Sequence, residues 1–257
     1  DYCREEDDQK TLYEKYEHRE DEGIFIRQKY TSRMFWADYY EFYDNYTESH
    51  PDDVIVKCDD DIIFMDIFQL QGFIHALRDN EETINGVLFP NIVNNGVAAY
   101  YQQKELKMIP EAVDNSDGGQ GWIDDYEYPP HGLCGSLWES GEKANRLHDY
   151  FLAHWESLIR PAHPYEPEVF PICTRFSINF FGVKGRNWYK LRDVGVDDEL
   201  HISVTLPQYN VMRNYMYTNL VVSHLSFGSQ KEGLNIDEKL QAYEELFGEY
   251  VKLASQP

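Results

Sequence analysis

Cysteine is scarce in this chain. Its four cysteines, Cys3, Cys58, Cys134 and Cys173, stand among 257 residues and never pair as C-x-x-C. That spacing argues against a zinc framework, and four scattered thiols are too few to build a disulfide-stapled fold. They leave the redox compartment open. Long apolar runs are missing too: no stretch approaches the roughly 18 residues that a membrane-spanning helix needs. Basic residues are outnumbered two to one, 23 against 46 acidic, for a formal charge of −23. Such a chain repels nucleic acid and anionic membranes. It also repels anionic small molecules, because two like charges 4 Å apart cost about 4 kcal/mol at an effective dielectric of 20. A phosphorylated ligand would therefore need a divalent cation or a local basic group. Several catalytic signatures are absent: G-x-S-x-G, H-E-x-x-H, G-x-G-x-x-G and the Walker phosphate loop.

Aromatic residues are plentiful, with 20 Tyr, 14 Phe and 5 Trp, and apolar residues make up 42%. This suits a globular chain with one substantial core. Residues 1–22 are strongly charged with weak periodicity, and are read as a solvated arm or helix. Residues 23–257 are read as one domain. Within it, 24–26 reads as a short strand, and 32–46 as a helix whose apolar face carries Phe35, Tyr39, Phe42 and Tyr46. Residues 54–56 and 62–64 read as strand, 67–79 as helix and 86–89 as strand. Residues 114–142 are an irregular stretch rich in Gly, Asp and Pro. A helix over 143–159 presents Leu147, Tyr150, Phe151, Trp155 and Leu158. Strands follow at 177–183 and 219–223. The last helix starts near Asn235, with Glu238 placed for a capping box and Leu240, Tyr243, Leu246, Phe247 and Tyr250 as its buried face. Alternating strands and helices predict an α/β architecture.

Four constellations could carry chemistry. The first is DDVIVKCDDDIIFMD, residues 52–66, which puts Asp59, Asp60 and Asp61 at the exit of an apolar strand. Carboxylates crowded beside apolar runs repel one another and resist desolvation. A hard divalent cation relieves this, since Mg²⁺ and Mn²⁺ prefer oxygen ligands and bridge to phosphate. An exposed acidic turn is the plain alternative. The second is Asp197-Asp198-Glu199, either a helix cap favoured by the dipole or a general base. The third is His224 after an apolar run, either a satisfied structural histidine or a metal ligand. The fourth is the Gly-rich segment 117–125, where Trp122 could dock a sugar face or simply sit in a connection.

Together these segments resemble the GT-A glycosyltransferases. The run DDVIVKCDDDIIFMD resembles their D-x-D segment, most closely that of a group found in fungi, algae and large algal viruses. RFSINFFGVKG (175–185), DDELHISVTLP (197–207) and VVSHLSFGSQ (221–230) are similar to later blocks of that group, in the same order. The resemblance spans about residues 30–250. It implies a Rossmann-like mixed sheet flanked by helices in a single domain. It further implies that Asp61, with Asp59 nearby and His224 completing the site, holds Mn²⁺ or Mg²⁺, which grips the donor diphosphate. One of Asp59 and Asp60 would face the ribose, and Arg175 and Lys231 would help neutralise phosphate. Asp198 would be the base of an inverting transfer, with Asp197 and Glu199 as rivals. Usual members carry two strand–helix units ahead of the D-x-D, whereas 58 residues precede Asp59 here. Either sequence upstream is absent from this chain or the nucleotide-base pocket is reduced.

The expected reaction moves a sugar from a nucleotide-diphosphate sugar, a UDP-sugar first and a GDP-sugar second, to a hydroxyl of a glycan or glycoprotein acceptor. No nucleic-acid partner and no membrane span are expected. The compartment stays open between host-cell cytoplasm and a Golgi-type lumen. Two other classes compete. A metal-dependent phosphohydrolase or nucleotidyltransferase would need two metals about 4 Å apart and more bridging acids. A carbohydrate-binding module would take sugar without metal or nucleotide.

Overall fold

The structure is a computed structural model that describes residues 10–11, 13–15, 35–79, 85–110, 137–159, 168–169, 174–192 and 194–254; for 35–38 only the backbone is described. The strand expected at 24–26 and the Gly-rich segment 117–125 lie outside the described residues, as does most of the charged stretch 1–22. Residues 10–11 and 13–15 of that stretch are helical, with Lys10 and Glu14 on the surface, 3.7 Å apart.

Helix α1 covers Phe35–Ser49. Its packed face shares Tyr39 with the expected one and is otherwise shifted. Tyr40 and Thr47 are buried while Tyr46 stands on the surface, so the seam runs through Tyr40, Tyr43 and Thr47. Trp188 selects it: the Tyr40 and Trp188 rings stack at 5.8 Å, and the indole N–H donates to the Tyr40 carbonyl at 2.9 Å. Strand β1 (Val54–Cys58) leads into the acidic turn, and β2 (Ile62–Met65) leaves it. Asp66 then starts α2 (Ile67–Asp79). Its carboxylate accepts from the Phe68 N–H at 3.3 Å and from the Tyr250 hydroxyl at 2.7 Å, so an acid caps the helix in a dry setting. Phe73 and Leu77 of α2 lie directly on the sheet. A Cβ at Gly182 would sit 2.5 Å from Leu77 Cδ1 and 2.7 Å from Phe73 Cε1, so only glycine admits the helix at this height.

Strand β3 (Gly86–Val93) is buried throughout, as expected of a central strand. It runs past its expected end because Pro90 sits at an irregularity. The partner register jumps from Tyr217 opposite Pro90 to Val221 opposite Asn91. A proline without an N–H is tolerated in a sheet interior at such a place. Asn95 caps α3 (Gly96–Lys104) by accepting from the N–H groups of Val97 and Ala98, both at 3.1 Å. Helix α4 is Gly141–Ile159, β4 is Glu168–Val169, β5 is Phe180–Lys184 and α5 is Gly185–Trp188.

A helical segment, α6, covers 198–208 as Asp198–Leu200, a π-type stretch His201–Thr205, and Leu206–Gln208. Pro207 explains the irregularity. It has no N–H for the Ser203 carbonyl one turn back, and Asn214 Nδ2 donates there instead at 2.9 Å. Strand β6 (Arg213–His224) and helix α7 (Ile236–Ala254) complete the described chain. The expected capping box of α7 is replaced. Asn235 Nδ2 donates to the Glu238 carboxylate, while the Asn235 N–H goes to Asn145 Oδ1 at 3.3 Å. Of the expected α7 face, Tyr243, Leu246 and Tyr250 are buried, but Leu240 and Phe247 are exposed.

The sheet order is β1-β5-β3-β6-β2, with β4 also against β6. It is a mixed sheet. β3 and β6 are parallel, and the other pairs are antiparallel. Helices flank it in one α/β domain. One apolar cluster gathers Tyr40, Phe73, Leu88, Phe181 and Trp188. A second joins Phe64 of β2 to Phe151 and Trp155 of α4 and to Tyr243 and Tyr250 of α7. Each fully buried Phe contributes roughly 1.5–3 kcal/mol. Because β1 and β3 both oppose β5, and β3 parallels β6, strands β1, β3 and β6 all end at one edge, at Cys58, Val93 and His224.

Candidate active site

In open parallel α/β sheets ligands bind outside the carboxyl ends of the strands, and the acidic turn lies at the edge where β1, β3 and β6 end. At that edge residues 59–61 make a tight turn from β1 to β2, the two ends of the strand order. The Ile62 N–H closes the turn on the Asp59 carbonyl at 3.4 Å, and two further backbone bonds pin it. The Asp59 N–H donates to the Asn179 carbonyl at 2.8 Å, and the Leu225 N–H donates to the Asp61 carbonyl at 2.9 Å. The three carboxylates then take three different situations.

Asp59 is held by the Lys57 ammonium, which also donates to the Ile178 carbonyl at 2.6 Å, and by Asn179 Nδ2 at 3.4 Å. Burial raises the Asp59 carboxyl above its ordinary range, and Lys57 pulls against that shift. Asp60 is exposed. Asp61 Oδ2 lies 3.1 Å from His224 Nε2, and that histidine is 1% exposed. Asp61 Oδ1, His224 Nδ1 and Asn179 Oδ1 are buried with no hydrogen-bond partner. Three unsatisfied polar atoms on side chains around the turn are unusual in a folded chain. Cys58, next to Asp59, is exposed at the same edge. Desolvation and the Asp59 charge push its thiol up to about 11, and the Lys57 charge opposes the shift.

His224 is placed from behind by a polar lattice. Asn94, at φ +64°, donates to the carbonyls of His224 at 3.3 Å and Leu225 at 3.1 Å. It also exchanges amide bonds with Gln230, at 2.9 and 3.0 Å. Gln230 in turn donates to the Leu137 carbonyl at 2.7 Å. His148 Nε2 donates to the Leu225 carbonyl at 3.0 Å, and its Nδ1 meets the Tyr243 hydroxyl at 2.8 Å.

Scans of protein-family models, curated proteins and solved structures find no match to this chain. The site is therefore read from its own geometry. Among the described residues, no three His, Cys, Asp or Glu side chains converge closely enough to hold a metal ion. Asp61 and His224 meet; Asp59 is engaged elsewhere, by Lys57. A small apolar cavity of about 20 Å³ between Val93, Met108, Leu147 and Phe151 is a packing void away from the acidic turn.

The second acidic group divides its labour. Asp197 caps α6, accepting from the Leu200 N–H at 2.8 Å. Arg175 binds Asp197 at 3.0 Å and Glu199 at 2.6 Å. Burial raises the Glu199 carboxyl and Arg175 opposes the shift. Arg175, expected at phosphate, is thus paired with two carboxylates, and Asp197 and Glu199 are the two members of the trio that it holds. Asp198 differs. Its Oδ2 accepts from the hydroxyls of Tyr40 at 3.2 Å and Tyr39 at 3.5 Å, and its Oδ1 from the Glu199 N–H at 2.9 Å. A carboxylate offers about four acceptor positions, so one remains. Lys231 is exposed in the turn after Gly228–Gln230. Lys57, Asn179, Tyr40 and the Asn94–Gln230 pair were not singled out from sequence. Lys57 and Asn179 lie inside the blocks that carry the resemblance. The reach of Tyr40 across 158 positions has no local signal.

Proposed function

We propose that this chain is a metal-dependent glycosyltransferase that moves a sugar from a nucleotide-diphosphate sugar to a hydroxyl of a glycan or glycoprotein acceptor, with inversion. The observation that carries this reading is the Asp61–His224 contact at the carboxyl edge, with a buried, unpartnered oxygen left on Asp61. That donor set fits Mn²⁺ or Mg²⁺, which are held by few protein groups and take their remaining ligands from phosphate and water. Asp61 and His224 would hold the ion, and bound there it would offset the charge of the departing diphosphate. The commitment of Arg175 to carboxylates, in a chain of charge −23, strengthens the need for a cation. One of Asp59, steadied by Lys57 and Asn179, and exposed Asp60 would meet the ribose. Asp198 is the base on which the proton released by the attacking hydroxyl finally rests. One carboxylate beside one histidine is too few ligands for a two-metal hydrolase, and this favours transfer over the rival chemistry.

Thermal shifts test the reading, since a ligand of the native state raises its melting temperature. UDP-glucose, UDP-galactose, UDP-N-acetylglucosamine and GDP-mannose are screened with and without Mn²⁺. A rise that needs both nucleotide and metal is expected. A rise with free sugar alone identifies a binding module, and two Mn²⁺ per chain identifies a hydrolase-type site. Asp198→Asn should lower turnover by about a hundredfold, the scale of a general base, and leave nucleotide affinity unchanged. A parallel loss of affinity would remove Asp198 from the role of base.

A further inference from the structure

Asp198 is hard for an acceptor to reach directly. Oδ1 is turned toward the N–H of its own helix, and Oδ2 carries both tyrosine hydroxyls. The two tyrosines are not equivalent. Tyr40 is fully buried, stacked on Trp188 and anchored through its carbonyl. Tyr39 is half-buried, its ring 4.1 Å from that of Tyr40. Of the two tyrosines, Tyr39 is the one whose side chain reaches the surface in part.

We infer that Tyr39 is a catalytic residue, receiving the acceptor's proton on its phenol oxygen and passing its own proton to Asp198. The inference rests on the glycosyl-transfer reading. As the acceptor oxygen bonds to the anomeric carbon, the bond from that carbon to the diphosphate oxygen breaks, and the nucleoside diphosphate leaves with the electron pair. The acceptor's proton moves to the Tyr39 oxygen, and the Tyr39 proton moves to Asp198 Oδ2. Tyr39 is a neutral phenol before and after, and Asp198 ends protonated until it releases the proton to water. Two further observations agree. Burial and the charge of Asp198 hold the Tyr39 hydroxyl well above its usual range, so it keeps a proton to hand on and does not rest as phenolate. The 3.5 Å separation from Asp198 is long, as catalytic hydrogen bonds often are before substrate tightens them.

The experiment uses water as the acceptor and the same four nucleotide sugars with Mn²⁺. Hydrolysis is followed for the wild type, Tyr39→Phe and Tyr40→Phe in mixtures of H₂O and D₂O, with UDP–Mn²⁺ affinity measured alongside. Tyr39→Phe should lower kcat by on the order of tenfold to a hundredfold at unchanged UDP affinity. The wild-type rate should bend with deuterium fraction as two protons in flight require, and the residual rate of Tyr39→Phe should follow a single-proton line. A Tyr39→Phe enzyme with full rate, or a one-proton line in the wild type, overturns the relay while leaving glycosyl transfer intact. Wild-type protein that neither binds nor turns over any of the four overturns the underlying reading and the relay with it. Because phenylalanine keeps the ring packing, a fall in rate with an unchanged melting temperature is the result that supports the relay.

Discussion

Asp61→Ala should reduce nucleotide-sugar turnover by roughly a thousandfold or more, the scale on which a group that stabilises developing charge acts, while the protein stays folded. Asp61 contributes a side chain to the site, but its structural task is done by its backbone, through the bond from Leu225. Alanine keeps that bond and removes the carboxylate beside His224. The neighbours sharpen the result. Asp60→Ala removes an exposed carboxylate and should cost little. Asp59→Ala should instead free Lys57, and so should disturb the turn as well as the chemistry. The check is steady-state turnover with Mn²⁺ for the three variants, with melting temperatures beside it. Equal losses at all three positions would mean that the acids act as a diffuse negative field. Wild-type turnover by Asp61→Ala in the presence of EDTA would end the metal-dependent account.

The second large effect is on stability and follows pH. Burial pushes the His148 imidazole down from 6.5 to about 4. The positive neighbours His224 and Lys239 add to the shift, while the Leu225 carbonyl and Asp149 oppose it. The folded chain therefore binds fewer protons than the unfolded chain between those values, and stability falls as pH falls. The contribution is fully present above pH 6.5 and is lost on the way down through pH 4. Integrated over the window, the loss is about 2 kcal/mol between pH 7 and pH 5 and about 3 kcal/mol by pH 4. His148→Phe removes the titration. It also removes bonds to Leu225 and Tyr243, so it starts less stable at pH 7. The stability gap between wild type and variant, measured by urea unfolding, should narrow by those amounts as pH is lowered. A gap that stays constant from pH 7 to pH 5 would show that His148 titrates in the native protein as it does in the unfolded chain.

Much of the framework was legible because the relevant signals are local. Helix α2 matches its expected span, since its apolar spacing and the preceding Asp66 are both short-range features. Strand β1 and the acidic turn read clearly because a β-branched run stops at three carboxylates. The misplaced boundaries have physical causes. Strand β3 runs beyond the expected 86–89 because Pro90 faces an irregularity three residues deep in β6. Strand β6 begins well before the expected 219 and includes polar Asn214 and Thr218. They are buried, and Asn214 serves a carbonyl that Pro207 leaves unbonded. The site was legible as residue types and not as pairings. Asp197, Asp198 and Glu199 are adjacent in sequence and chemically alike. Only Arg175 and the two tyrosines, brought in from other elements, tell capping residue, ion-pair partner and candidate base apart.

The acidic turn joins the two rims of the strand order in three residues, so the outermost strands are consecutive in the chain although three others lie between them. Its carboxylates ride on both rims at once. A slip of β1 against β5 by one residue would drag Asp59 away from Asn179, and a slip of β2 against β6 would draw Asp61 off His224. In this molecule, any lesion that loosens either border of the sheet is also a lesion of its reactive centre.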